Sequence, residues 1–168
     1  MTTSSSSAAK TVTLRSSDGE EFVVKADTFA AASVLVRNIL EDDCAGGAIP
    51  LPQVTGRILS RVIDYCDHHY ADADAATYVA EPFFSGDSDL ERFDTDFIGG
   101  IDLDTLIDLI LAANYLEVPR LLDLACKTVA DQMRGKTVEE MRAHFKIAND
   151  YTPEEEAEVR SENPWAFE

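Results

Sequence analysis

The sequence predicts an α+β fold: a small three-stranded sheet with helices, followed by a run of helices. Three observations carry this. A hairpin pattern opens the chain, a proline-flanked extended piece follows it, and from Asp102 onward helix starts succeed one another with no further strand pattern.

Thr11–Ser16 (TVTLRS) alternates in apolarity as a strand does. Asp18 and Gly19 form a turn signal, and Glu21–Lys25 (EFVVK) reads as the second strand of a hairpin. Ser33 suits the N-cap of a helix running to Leu40, with Val34, Leu35, Ile39 and Leu40 apolar. Glu41–Asp43 and Gly46–Gly47 end it. Pro50 and Pro52 push the residues before them out of the helical region, so Ala48–Leu51 is a short extended piece. Thr55 opens a helix with Ile58, Leu59, Val62, Ile63 and Cys66 on one side, ending near His68 and His69.

Residues 71–89 are rich in Ala, Asp, Ser and Gly. They read as a flexible acidic linker with a short element around Tyr78–Phe84. Structure resumes at Leu90–Phe97. Asp102 caps a helix with Leu103, Leu106, Ile107, Ile110 and Leu111 apolar, and Pro119 suits the first turn of another that runs to Met133. Thr137 with Glu140 forms a capping box, in which the hydroxyl accepts a backbone N–H and the carboxylate reaches back. Thr152 and Glu155, with Pro153 in the first turn, repeat the device. Residues 1–10 are rich in Ser and Thr and are expected to be disordered.

Composition excludes several functions. With 32 acidic against 14 basic residues, the formal net charge is −18. Nucleic acid and anionic membrane surfaces both require clustered Lys and Arg, so neither is expected as a partner. Cys44, Cys66 and Cys126 are odd in number and widely spaced, which is not a disulfide framework. No secretory signal and no membrane-length apolar run is seen, so a reducing compartment, cytoplasm or nucleus, is expected.

Candidate chemical motifs are weak. Gly135, Lys136 and Thr137 look like the end of a phosphate-binding loop. Ala130, however, stands where the loop's first glycine belongs, and a helix precedes it. Gly135 reads better as a helix C-terminal residue with positive φ. Cys66, His68 and His69 have no second ligand cluster, so no metal is expected; Cys66 reads as buried and the two histidines as solvated. The acids lie in runs such as Glu154–Glu156, which form solvated faces. No activated nucleophile and no cofactor motif appears, and no enzyme is expected.

The anomaly is an excess of apolar residues late in the chain. Leu122, Cys126, Val129 and Met133 form one stripe, and Leu121, Leu124 and Ala125 widen it beyond the usual arc of a surface helix. Phe145, Ile147, Trp165 and Phe167 follow. Either these helices bury the excess among themselves or another protein fills a groove, and the aromatic terminus favours the groove.

Several stretches carry a resemblance. They are Ile110–Leu116 (ILAANYL), Leu121–Leu124 (LLDL), Thr128–Asp131 (TVAD), Gly135–Thr137, Asn149–Asp150, Thr152–Glu156 (TPEEE) and Trp165–Glu168 (WAFE), with Ser16–Glu20 and Val62–Cys66 earlier. Together they resemble the S-phase-kinase-associated (Skp) F-box adaptors, in their plant branch, over about residues 11–168. The resemblance implies a BTB/POZ domain at 11–116 and a C-terminal helical F-box-binding extension at 117–168. It implies an adaptor of an SCF-type cullin-RING ubiquitin ligase, touching the RING subunit only through the cullin and found in nucleus and cytoplasm. Asn114 and Tyr115 would face the cullin. Leu122, Cys126, Val129, Met133, Phe145, Ile147 and Trp165 would line the F-box groove. Ile107, Val118–Arg120 and Pro164 depart from the family pattern, as in an isoform with a narrowed F-box repertoire. The competing class is a self-associating BTB-type scaffold without F-box binding.

Overall fold

The computed structural model describes residues 10–42, 47–71 and 88–166. Cys44, Phe167, the expected disorder before Lys10, the short element at Tyr78–Phe84 and most of the 71–89 linker lie outside them.

Strand β1 (Thr11–Ser16) pairs antiparallel with β2 (Glu21–Lys25) and parallel with β3 (Ile49–Leu51), giving the order β2-β1-β3. The hairpin register places Leu14 opposite Phe22, and β1 meets β3 from Leu14↔Ile49 to Ser16↔Leu51. Alternation then works as the strand period demands. Val12, Leu14, Val24, Ile49 and Leu51 are buried, while Arg15, Glu21 and Lys25 face solvent. Gly19, with φ +87°, takes the left-handed turn position that side chains resist.

Helix α1 (Ala26–Ala32) was not legible in the sequence. It has no side-chain cap at Lys25 and forms because Ala26, Phe29, Ala30, Ala31 and Ala32 are all buried. Ser33 leaves the helix with extended backbone (φ −118°, ψ 119°). It ends α1 and caps α2 (Val34–Glu41), accepting the Val36 N–H at 3.2 Å. Helix α3 (Gly56–His69) starts where expected, but Thr55 supplies no side-chain cap. Asp18 does so from the hairpin turn: its Oδ1 accepts the Gly56 N–H at 2.8 Å and the Ser16 hydroxyl at 2.5 Å. These bonds, the Ser16 one foremost, hold its carboxyl below the usual aspartate range.

Helices α4 (Ser88–Ile98), α5 (Leu103–Tyr115) and α6 (Pro119–Met133) follow, then α7 (Val138–His144), α8 (Pro153–Glu162) and a 3₁₀ turn at Pro164–Ala166. The core brings Leu14, Phe29, Val36, Leu59, Val62 and Tyr65 together with Leu109, Leu116 and Leu121. The chain divides into two compact units, 1–127 and 128–168. This division falls within α6, after the 116/117 boundary expected from the resemblance, because Val118, Leu121, Leu124 and Ala125 are buried with the first unit's core.

Of the two histidines expected to be solvated, His68 is exposed and stacks on Phe93 (3.8 Å between ring centroids), but the His69 side chain is completely buried. Its Nε2 lies 2.6 Å from Asp94 Oδ1 on α4 and its ring stacks on Tyr65 at 4.2 Å. Helix α4 lands on the end of α3 through this contact and through Phe93 and Phe97, which the sequence around His69 gave no sign of.

Candidate functional site

Helix α5 builds the first surface. Asp102 Oδ1 accepts the Thr105 N–H at 2.9 Å, which starts the helix where the sequence placed it. That bond is the largest cause of the lowered Asp102 carboxyl; Arg57, 3.8 Å away, adds to it. Thr105, Leu106, Leu109, Ala112 and Ala113 are buried. The opposite face carries Asp104, Ile107, Asp108, Leu111 and Asn114, spaced as one helical stripe, and all five are exposed. Ile107 is 39% and Leu111 61% exposed. Tyr115 is half-buried with its ring against the core. Asn114, named from sequence, therefore sits at the end of an apolar stripe that was missed. The signal existed: Asp104 and Asp108 mark an outward face of α5, and Ile107 and Leu111 share that face at helical spacing.

The α5–α6 corner is tightly specified. Val118 N–H bonds the Ala113 carbonyl at 2.9 Å and Glu117 N–H bonds the Asn114 carbonyl at 3.1 Å. This is a Schellman termination with Glu117, φ +53°, in the position glycine normally takes.

Helix α6 builds the second surface. Leu121, Leu124 and Ala125 are not an extension of the open stripe; they are its core side. Leu122 is half-buried against the core, Cys126 is exposed, Val129 is half-buried and Met133 is 38% exposed. The four expected residues share one face of α6 at intervals of a helical turn.

In the 128–168 unit, Gly135 has the expected positive φ of +74°, and α7 and α8 both start with complete capping boxes. His144 Nε2 lies 2.9 Å from Gln132 Oε1 and its ring meets Phe145 edge-on at 4.9 Å. Phe145 is half-buried and Ile147 is 57% exposed. Helix α8 has no buried residue. Ion pairs join it to α7: Arg160 pairs with Glu139, and Arg142 lies 3.5 Å from Glu156, which Arg160 also pairs at 3.2 Å within α8. Hydrogen bonds from Arg160 and Asn149 hold the Glu156 carboxyl below the usual glutamate range. Trp165 is 76% exposed, and Tyr151, which the sequence reading passed over, is exposed as well.

The Cys66 thiol and Tyr65 hydroxyl are pushed up in pKa by burial, the opposite of activation. Among the described residues, no three His, Cys, Asp or Glu side chains gather to hold a metal. No helix among them is long and apolar enough to cross a membrane.

A small POZ-like sheet-and-helix unit, with open apolar residues left on α5 and α6, defines a protein-binding adaptor. Residues 10–71 match the Skp1 family tetramerisation domain and residues 119–166 the Skp1 family dimerisation domain. The chain is 55% identical over 160 residues to SKP1-like protein 4 of Arabidopsis thaliana, spanning 95% of this chain and 97% of that protein. It is 51% identical over 160 residues to SKP1-like protein 1A of the same plant, spanning 95% and 99%. It is 52% identical over 169 residues to SKP1-like protein 1 of Oryza sativa subsp. japonica, spanning 95% and 96%. The chain belongs to the Skp1 family, the adaptor subunits of SCF-type cullin-RING ubiquitin ligases.

Proposed function

We propose that the chain links cullin to F-box receptor without catalysing any step. The cullin docks on the α5 stripe at Ile107, Leu111, Asn114 and Tyr115. The F-box protein docks on residues drawn from Leu122, Cys126, Val129, Met133, Phe145, Ile147 and Trp165. The observation that carries this reading is the pair of open apolar faces, one on α5 and one on α6, each backed by a buried face of the same helix. Large side chains left uncovered on well-anchored helices are what partner proteins bury.

The chain's contribution is positional, since tethering raises the effective concentration of substrate near the transfer machinery. It meets the RING subunit only through the cullin, binds neither nucleic acid nor membrane, and works in nucleus and cytoplasm. The test replaces Asn114 and Tyr115 together with lysine. Cullin capture is expected to be lost and F-box capture kept, with an unchanged circular dichroism spectrum. Loss of both captures, or retention of the cullin, overturns the assignment. Light scattering on the free chain tests self-association as the alternative. Ubiquitin transfer by the purified chain alone would contradict the non-catalytic role.

A further inference from the structure

We infer that Ser33 is a positioning residue for the cullin-facing corner, an inference that rests on the reading of Asn114 and Tyr115 given above. Ser33 is fully buried and lies far from that corner in sequence. Its hydroxyl donates to the Leu116 carbonyl at 2.5 Å, directly after Asn114 and Tyr115. The next residue adds a second bond, Val34 N–H to the Glu117 carbonyl at 3.2 Å. The junction between α1 and α2 thus grips the turn between α5 and α6 at two consecutive carbonyls.

This grip has a physical purpose. The last carbonyls of a helix have no partner within it and must find one elsewhere when buried. Glu117 holds φ +53°, which a residue with a side chain adopts only when its surroundings enforce it. The single hydroxyl proton of Ser33 is spent on Leu116, and its oxygen also accepts the Val36 N–H. An N-cap needs only an acceptor. The donated bond is therefore additional to capping α2, and its recipient is the turn that aims Asn114 and Tyr115. Arg57 ties the other end of α5, donating to Thr105 Oγ1 at 2.9 Å, but its side chain is largely solvent-exposed and so makes a weaker tie.

The experiment measures affinities of the full chain for the cullin and for an F-box protein separately. Ser33→Ala is expected to weaken cullin binding about tenfold or more and F-box binding less than about twofold. Amide exchange at Glu117 and Val118 should quicken, and Ser33→Thr, which keeps donor and acceptor, should restore most of the cullin affinity. Ser33→Cys fills nearly the same volume with a poorer donor and should fall between; it carries the test if the alanine variant does not fold. Unchanged cullin affinity in a folded Ser33→Ala or Ser33→Cys chain overturns the inference, as does equal weakening toward both partners. The Asn114→Lys, Tyr115→Lys double variant is measured alongside. If it loses the cullin while the Ser33 variants keep it, only this inference fails. If it keeps the cullin, the reading of the corner fails and the inference with it.

Discussion

Leu109 and Leu111 stand two positions apart on α5 and have opposite fates, the first fully buried and the second largely exposed. Removing a buried leucine costs its transfer energy plus a cavity, so Leu109→Ala should destabilise the fold by about 2–5 kcal/mol. Leu111→Ala should change stability by less than about 0.5 kcal/mol but weaken cullin binding by about 1–2 kcal/mol. Thermal denaturation and titration calorimetry check the pair, and a stability loss at Leu111 would mean its face is already covered. The same logic applies to Trp165. Burying its ring on binding removes on the order of 150–250 Å² from water. After the cost of ordering the tail, Trp165→Ala should weaken F-box binding by about 2–3 kcal/mol and leave folding untouched. Unchanged F-box affinity would take the tail out of the groove. At this scale the sequence was partly legible. It named Leu122, Cys126, Val129 and Met133 as one face from their helical spacing, but widened that face with Leu121, Leu124 and Ala125, which the core buries. It did not sort Ile107 and Leu111 from Leu106 and Leu109, although Asp104 and Asp108 mark the outward face of α5 at helical spacing.

Elements whose signals are local were read correctly. The boxes at Thr137 and Thr152 close as expected, because the partners lie three residues apart and need no tertiary structure. Helix α1 was missed because burial rather than capping makes it, and His69 was misread because Asp94 reaches it from another helix. Helix α7 ends, like α5, on a residue with positive φ: Lys146 at +55°, with Ile147 N–H bonded to the Arg142 carbonyl at 2.8 Å. Glycine relieves that strain, so Lys146→Gly should raise stability by up to about 1 kcal/mol in chemical denaturation, whereas Gly135→Ala should lower it by about as much. Helix α8 depends on carboxylates. Bonding to backbone N–H groups and to Arg160 lowers the Glu139, Glu155 and Glu156 carboxyls in the folded chain. A group with a depressed folded pKa stabilises above its unfolded value and loses that contribution as pH falls through the folded one. Helicity of residues 153–162 should therefore decline below about pH 4, near and under the ordinary glutamate value. Residue-resolved amide exchange that stayed flat down to about pH 3 would show that the ion pairs are dispensable.

At the scale of the whole molecule, charge was fully legible in the sequence, while the identity of the partners came only from resemblance to a family. Composition argued against polyanions as partners but could not choose among proteins with basic surfaces. The α5 stripe narrows that choice, because the exposed Ile107 and Leu111 are bordered by exposed Asp104 and Asp108 on a chain of net charge −18. A partner that covers this face must bring apolar side chains to its centre and, by complementarity, cations to its rim. The two parts act on different rates. Long-range attraction speeds encounter and is screened by salt, with a Debye length of about 30 Å at 0.01 M falling to about 3 Å at 1 M. Apolar contact, once made, governs escape and is nearly indifferent to salt. The association rate constant for the cullin should therefore fall about tenfold or more between roughly 0.02 and 0.5 M salt, while the dissociation rate constant changes less than about threefold. Asp104→Asn combined with Asp108→Asn should slow association at low salt and flatten its salt dependence, with dissociation nearly unchanged. Leu111→Ala should do the reverse, hastening dissociation at every salt concentration. Stopped-flow kinetics on these variants separates the two contributions, and an association rate that ignores salt in the unaltered chain would mean that its charge does not steer this encounter.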